Sequence, residues 1–141
     1  NIQGVVLFNR FFAPDIDIEN LKVIPAEVFS NPGDIRDTLR WVAIASHEIS
    51  KIDISASTGI HSSDAVVKML LAGASSVQVC STLYKNGHAR LKELIGGLES
   101  WMDKKGYSSI DEFKGKMNYQ RIGNPDVYER SQFMKHFSSH E

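Results

Sequence analysis

Two stretches decide how this chain folds: Asp53-Ile54-Ser55-Ala56-Ser57-Thr58-Gly59-Ile60 and, one helix later, Gln78-Val79-Cys80-Ser81-Thr82-Leu83-Tyr84. Each runs from an apolar strand into small residues and out into a helix. Small residues let backbone N–H groups come close to an anion at the start of a helix, so each turn can hold a phosphate. Either turn alone is a weak signal, because small residues also serve ordinary tight turns. Two of them on consecutive strands point to one shared phosphate, met mainly by the backbone N–H groups of Thr58, Gly59, Ser81 and Thr82.

Working outward, residues 5–8 (Val-Val-Leu-Phe) are a continuous apolar run, which reads as a strand buried on both faces. Pro14 is expected to stop regular structure. Residues 13–33 read as an insertion or lid. Within it, Leu21-Lys22-Val23-Ile24 and Glu27-Val28-Phe29 could form a short hairpin. Asp34 can cap a helix running to about residue 46, with Ile35, Leu39 and Val42 on one face and Trp41 beside them. Ile52, Ile54 and Ala56 alternate as a strand. Ser62 or Ser63 caps the next helix, whose apolar face is Val66, Met69 and Leu70 and whose end suits Gly73. Residues 76–79 form a third strand. Residues 88–105 carry the clearest helical stripe: Leu91, Leu94, Ile95, Leu98, Trp101 and Met102. Gly96 and Gly97 interrupt it at roughly 1 kcal/mol each relative to alanine, which suggests a close approach there. Lys104-Lys105-Gly106 suits the end of this helix, and Ser109-Ile110-Asp111-Glu112 reads as a capping box. The tail, residues 118–141, has no clear period and is expected to wrap across a neighbour.

The alternation of strand and helix gives the fold class: α/β, with about three parallel strands and their helices, arranged as in part of a (β/α)8 TIM barrel. Crossovers between such strands are right-handed in nearly all cases. Phosphate turns at the ends of neighbouring strands are what the late strands of such a barrel carry. Residues 1–141 are therefore read as part of one domain. Three strands do not close a barrel, and an open layer leaves edges exposed. Either another segment completes it, or copies of the chain do so as a homo-oligomer. A start at Asn1 without methionine fits a piece of something longer.

Composition excludes several classes. The chain has 141 residues, 42% hydrophobic and 23% charged, which suits one globular domain with a core. A net charge of -1 offers no electrostatic case for nucleic acid or an anionic membrane. No apolar run approaches the ~20 residues that cross a bilayer. A single cysteine cannot form an internal disulfide, and a cytoplasmic setting is expected.

Several residues invite chemical readings. Asn9 lies at the end of the first strand, the face where barrel chemistry gathers, and its amide suits a planar, amide-containing substrate. A turn residue at a strand end is an equally good reading. Arg10 could bind an anion, though a solvated arginine is more usual. Cys80 reads as a small buried residue at a strand end rather than a nucleophile. The five histidines show no metal-ligand spacing. His61 follows the first turn directly, where such a ring most often just lines the turn. Trp41 and Trp101 read as core.

Ser57-Thr58-Gly59-Ile60, Leu71-Ala72-Gly73-Ala74 and Val77-Gln78-Val79 with Ser81-Thr82-Leu83 resemble the C-terminal part of the dihydroorotate dehydrogenases. So do Lys85-Asn86-Gly87, Lys105-Gly106-Tyr107 with Ser109-Ile110, and Asp111-Glu112-Phe113-Lys114-Gly115-Lys116. The resemblance covers about half of the chain. It implies an FMN-dependent barrel that oxidises dihydroorotate to orotate in pyrimidine biosynthesis. On this reading Ser57, Thr58, Gly59, Cys80, Ser81 and Thr82 hold the flavin phosphate, and Asn9 contacts a dihydroorotate-like substrate. The first turn departs from the family's usual Gly-Thr-Gly-Gly, and Cys80-Ser81 stands where Gly-Thr is usual. Asn9 is followed by Arg10 rather than by a small hydroxyl residue. The resemblance also implies that the proton-abstracting serine or cysteine lies in the N-terminal part. No catalytic residue is then expected in this chain, and alone it should be inactive. The alternatives are a non-catalytic half-barrel that self-associates, a related flavin barrel with a different substrate, or a phosphate-binding barrel without flavin.

Overall fold

The computed structural model describes residues 2–10 and 13–129. Three parallel strands form the main sheet: β1 (Gly4–Leu7), then β4 (Asp53–Ser57) at its centre, then β5 (Ser76–Gln78). The register places Leu7 beside Ala56 and Ser57 beside Gln78, so the strands end level with one another. Helix α1 (Ile35–Glu48) connects β1 to β4 after an excursion, and α2 (Ser63–Ala72) connects β4 to β5. A short helix, α3 (Ser81–Asn86), and the long α4 (Ala89–Lys105) follow.

One face of the sheet carries the core. Ile54 and Ala56 of β4 are buried there against Val42 and Ala43 of α1 and Val66, Met69 and Leu70 of α2, and Val5, Leu7, Val77 and Val79 pack onto the same cluster. The other face carries Val6, Ser55, Ser57, Ser76 and Gln78, with the Ser76 hydroxyl bonded to that of Ser55 at 2.9 Å. A parallel sheet with helices on one side only is a segment of barrel wall, since a doubly wound sheet covers both faces. The alternation in β1 corrects the expectation of a strand buried on both faces. Val6 is 50% exposed because it points to the side opposite the helices.

The helix ends follow the local sequence. Ser62 accepts from the Ala65 N–H as the α2 cap, and Gly73 closes that helix at φ 113°. A side chain at Gly73 would also strike Ser46, whose hydroxyl donates to the Ala72 carbonyl at 2.8 Å. Gly106 ends α4 in the left-handed region. Of the two α4 glycines, Gly97 makes the close approach, since a Cβ there would lie 2.3 Å from Ser63 Oγ, while Gly96 faces open space. Asp34 stands at the start of α1, but its carboxylate turns back to accept from the Asn31 N–H, closing a capping box around Pro32–Asp34. Ser109 makes no side-chain cap. Glu112 instead accepts from the Ser108 N–H.

Two expectations for the insertion need correcting. Pro14 does not stop regular structure but opens β2 (Pro14–Asp17), which pairs antiparallel with β3 (Lys22–Pro25). Proline is tolerated as the first residue of such an isolated ribbon. The turn between them is set by Asp17, which accepts from the Glu19 and Asn20 N–H groups. Glu27-Val28-Phe29 is therefore not the second strand of the hairpin. The described part of the tail, residues 118–129, meets helix α1 of its own chain. The N–H groups of Gly115, Met117 and Tyr119 donate to the carbonyls of Leu70, Leu71 and Ala43 near the ends of α2 and α1. Tyr128, in α5 (Asp126–Glu129), donates its hydroxyl to Met117 O and accepts on its carbonyl from Arg40. Residues 130–141 of the expected tail lie outside the described residues.

Candidate functional site

At the C-terminal ends of the strands the chain leaves β4 through a strained turn. Thr58 takes φ 84° and Gly59 φ 78°. The left-handed region suits glycine and is uncommon for threonine. Thr58 is held by its hydroxyl, which donates to the Phe8 carbonyl at 2.9 Å and so ties the turn to the end of β1. Gly59 is buried against the start of α1, and a Cβ there would lie 2.2 Å from the Ile35 nitrogen. Thr38 of α1 donates to the Ser57 carbonyl at 3.0 Å from the same side.

The second turn starts at Cys80 and runs into α3. Between it and the first lies a cavity of about 270 Å³. Ser57, Thr58, Gly59, Cys80 and Ser81 line it from the two turns, Asn9 and Arg10 from the end of β1, and Phe29 and Ser30 from the insertion. A second cavity of about 310 Å³ adjoins it, sharing Asn9, Arg10 and Thr58 and adding Asp34, Asp37 and Trp41. Both are near the lower limit for small-molecule sites, and together they form one recess.

Six of the seven residues expected from sequence thus converge. Thr82 is the exception: it lies buried beneath the cavity, and its hydroxyl accepts from Asn86. Asn9 reaches the recess with part of its amide engaged, its Oδ1 accepting from the Arg10 N–H at 2.9 Å. Cys80 is exposed, which corrects the expectation of a buried residue, because β5 ends at Gln78 and the chain turns outward. Trp41 is also no core residue. It is 45% exposed, with the Arg40 guanidinium 5.3 Å from its ring centre. Trp101 does pack as expected, edge-on to Phe113 at 5.0 Å. Arg10 is no solvated surface arginine either, since it stands 3.7 Å from the Asp34 carboxylate in the recess wall.

The insertion is fastened over the second turn by one residue. Ser30 is buried. Its N–H donates to Ser81 Oγ at 2.9 Å, its carbonyl accepts from Lys85 Nζ at 3.1 Å, and its hydroxyl lies 3.0 Å from His61 Nε2. Burial, and next the ammonium of Lys85, push the His61 pKa below its ordinary value. Arg90 donates to the His61 carbonyl at 2.7 Å and pairs with Glu93. Sequence reasoning singled out His61, and Lys85 only within the Lys85-Asn86-Gly87 resemblance, but not Ser30. The contacts of Ser30 span 31, 51 and 55 residues, and no local pattern marks them.

A one-sided parallel sheet with its recess at the strands' C-terminal ends defines the class: a portion of a (β/α)8 barrel, whose chemistry gathers at that end. The family model for dihydroorotate dehydrogenase matches residues 2–102. The chain belongs to the dihydroorotate dehydrogenase family. It is 42% identical over 67 residues to a dihydroorotate dehydrogenase (fumarate) of Lachancea kluyveri, covering 48% of this chain and 21% of that protein. It is 32% identical over 116 residues to the catalytic subunit of a dihydroorotate dehydrogenase B (NAD(+)) of Pyrococcus furiosus, covering 80% and 38%. A crystal structure of Eimeria tenella DHODH in complex with ferulenol superposes with a TM-score of 0.63 at 16% identity, over 80% of this chain and 30% of that one. The chain therefore spans between about a fifth and two fifths of the length of these curated relatives.

Proposed function

We propose that this chain supplies the flavin-phosphate site of an FMN-dependent dihydroorotate dehydrogenase, completed by barrel strands that these 141 residues do not include. The observation that carries the reading is the single cavity lined by both small-residue turns at the strand ends. The residues fit the group. The turns offer backbone N–H groups of Gly59 and Ser81, and the cavity is large enough for a phosphate with part of its chain but not for a whole flavin. Asn9 lines both this cavity and the adjoining one. FMN, when bound, accepts the hydride of a reduced pyrimidine ring.

The parts played by this chain are binding and exclusion. Gly59 and Ser81 hold the phosphate by N–H donation. Asn9 presents its amide to the substrate ring and fixes its orientation. The insertion, fastened by Ser30, keeps water from the phosphate end. The base that removes the substrate proton belongs to the part of the barrel outside this chain, so the chain alone binds without turning over. The relatives' names carry two electron acceptors, fumarate and NAD(+), and nothing in this site selects between them.

The test is the colour and activity of the complete protein. It should purify yellow, with flavin absorbance, and reduce its flavin when dihydroorotate is added without oxygen. A colourless complete protein that does not take up added FMN overturns the reading. A related flavin enzyme with another substrate is favoured by Arg10 next to Asn9. That protein would be yellow but would not be bleached by dihydroorotate.

A further inference from the structure

Arg10 is the one charged residue among the described residues lining the cavity between the turns. Its side chain is about three-quarters buried, with Nε 3.7 Å from Asp34 Oδ2. Nη1 is shielded from water and finds no hydrogen-bond partner among the described residues. Asp34 gives it only a loose hold, because the same Oδ2 already accepts from the Asn31 N–H at 2.9 Å. The carboxylate of Asp34 thus anchors the guanidinium without satisfying it.

The position of that anchor matters. The backbone of Asp34 and Ile35 packs directly on Gly59, so Arg10 is held beside the first turn. The carboxylates of the recess, Asp34 and Asp37, line the adjoining cavity, whereas the cavity between the turns has none. An anion therefore favours the latter. Lys85, the nearest ammonium on the second turn, is committed to the Ser30 carbonyl. A guanidinium presents a planar fork of N–H donors that matches the oxygens of a phosphate.

We propose that Arg10 is a phosphate ligand of this site, pairing its guanidinium with a phosphate monoester dianion seated between the turns at Thr58-Gly59 and Cys80-Ser81. The inference deepens the flavin reading and rests on it for the identity of the ester. The chemistry is shared by FMN and by a sugar phosphate, and the test separates the two.

The complete protein, freed of bound flavin, is titrated with FMN and with riboflavin, which lacks the phosphate, following flavin fluorescence. Ribose 5-phosphate is titrated in parallel by calorimetry. Arg10→Ser should weaken FMN about tenfold or more while riboflavin shifts less than about twofold. Arg10→Lys, which keeps the charge but not the fork, should fall between. Asp34→Asn, which releases the guanidinium from its anchor, should tighten FMN relative to riboflavin. Unchanged FMN affinity in Arg10→Ser, or an equal loss for FMN and riboflavin, overturns the proposal. Binding of ribose 5-phosphate but not FMN, again lost in Arg10→Ser, supports the role of Arg10 while removing the flavin reading. Wild-type protein that binds neither overturns both.

Discussion

Ser30 joins the insertion to both strand-end turns. It meets Ser81 and Lys85 from the second turn and its helix, and His61 from the segment after the first. Burial and the charges of Lys85 and Arg90 lower the His61 pKa, and its hydrogen bond with Ser30 and the charge of Asp34 oppose them. Because the folded value lies below the ordinary 6.5, the unfolded chain takes up a proton first as pH falls. The stability that neutral His61 supports is complete above about pH 6.5 and is lost progressively below it. Urea midpoints should therefore drop between pH 7.5 and 5.5, and the drop should shrink in His61→Gln. An identical pH dependence in both proteins would remove His61 from this role. Little of this was legible in the sequence. His61 could be suspected from its place after Gly59-Ile60, but Ser30 sits in an irregular loop without a motif. What makes it functional is the convergence of distant segments.

Among the elements, the turn after β4 shows what small residues achieve. Gly59 needs a positive φ, and a side chain there would run into the Ile35 nitrogen. Gly59→Ala should cost more than about 1 kcal/mol, since both backbone strain and a backbone clash oppose it. Chemical denaturation should show a lower midpoint, and FMN affinity should fall with it. A stability equal to wild type would mean that the turn and α1 are not locked together. The turns, α2 and α4 were readable because their signals are local: period, a capping serine, a glycine after the last turn. The ribbon of β2 and β3 was only half readable. Lys22-Val23-Ile24 announced a strand, but its partner begins at a proline, which counts against a strand on sequence alone.

Across the whole molecule, the C-terminal segment closes the end of the barrel wall opposite the recess. Phe113 is fully buried, with Trp101 and Tyr107 around it at 5.0 and 5.3 Å. The N–H groups of Gly115, Met117 and Tyr119 beyond it donate to carbonyls of Leu70 and Leu71 in α2 and of Ala43 in α1. Phe113→Ala should destabilise by about 3–5 kcal/mol while leaving the recess residues untouched. Thermal or urea unfolding would show the loss, and FMN affinity measured well below the transition should stay near that of wild type. The barrel class was legible from the order of strands and helices. The one-sided burial was not, because Val5-Val6-Leu7 reads equally well as apolar on both faces.

The contact between Gly59 and Ile35 bears on how this site could be rebuilt. A designer wishing to restore the Gly-Gly turn of other barrels might exchange residues 56–60 alone. Here the turn and the first residues of α1 occupy one another's space, and the side chain that anchors Arg10 belongs to that same helix start. The transplantable unit is the pair, residues 31–38 together with 56–60, and a swap of either part without the other leaves the donor piece in a socket shaped for something else.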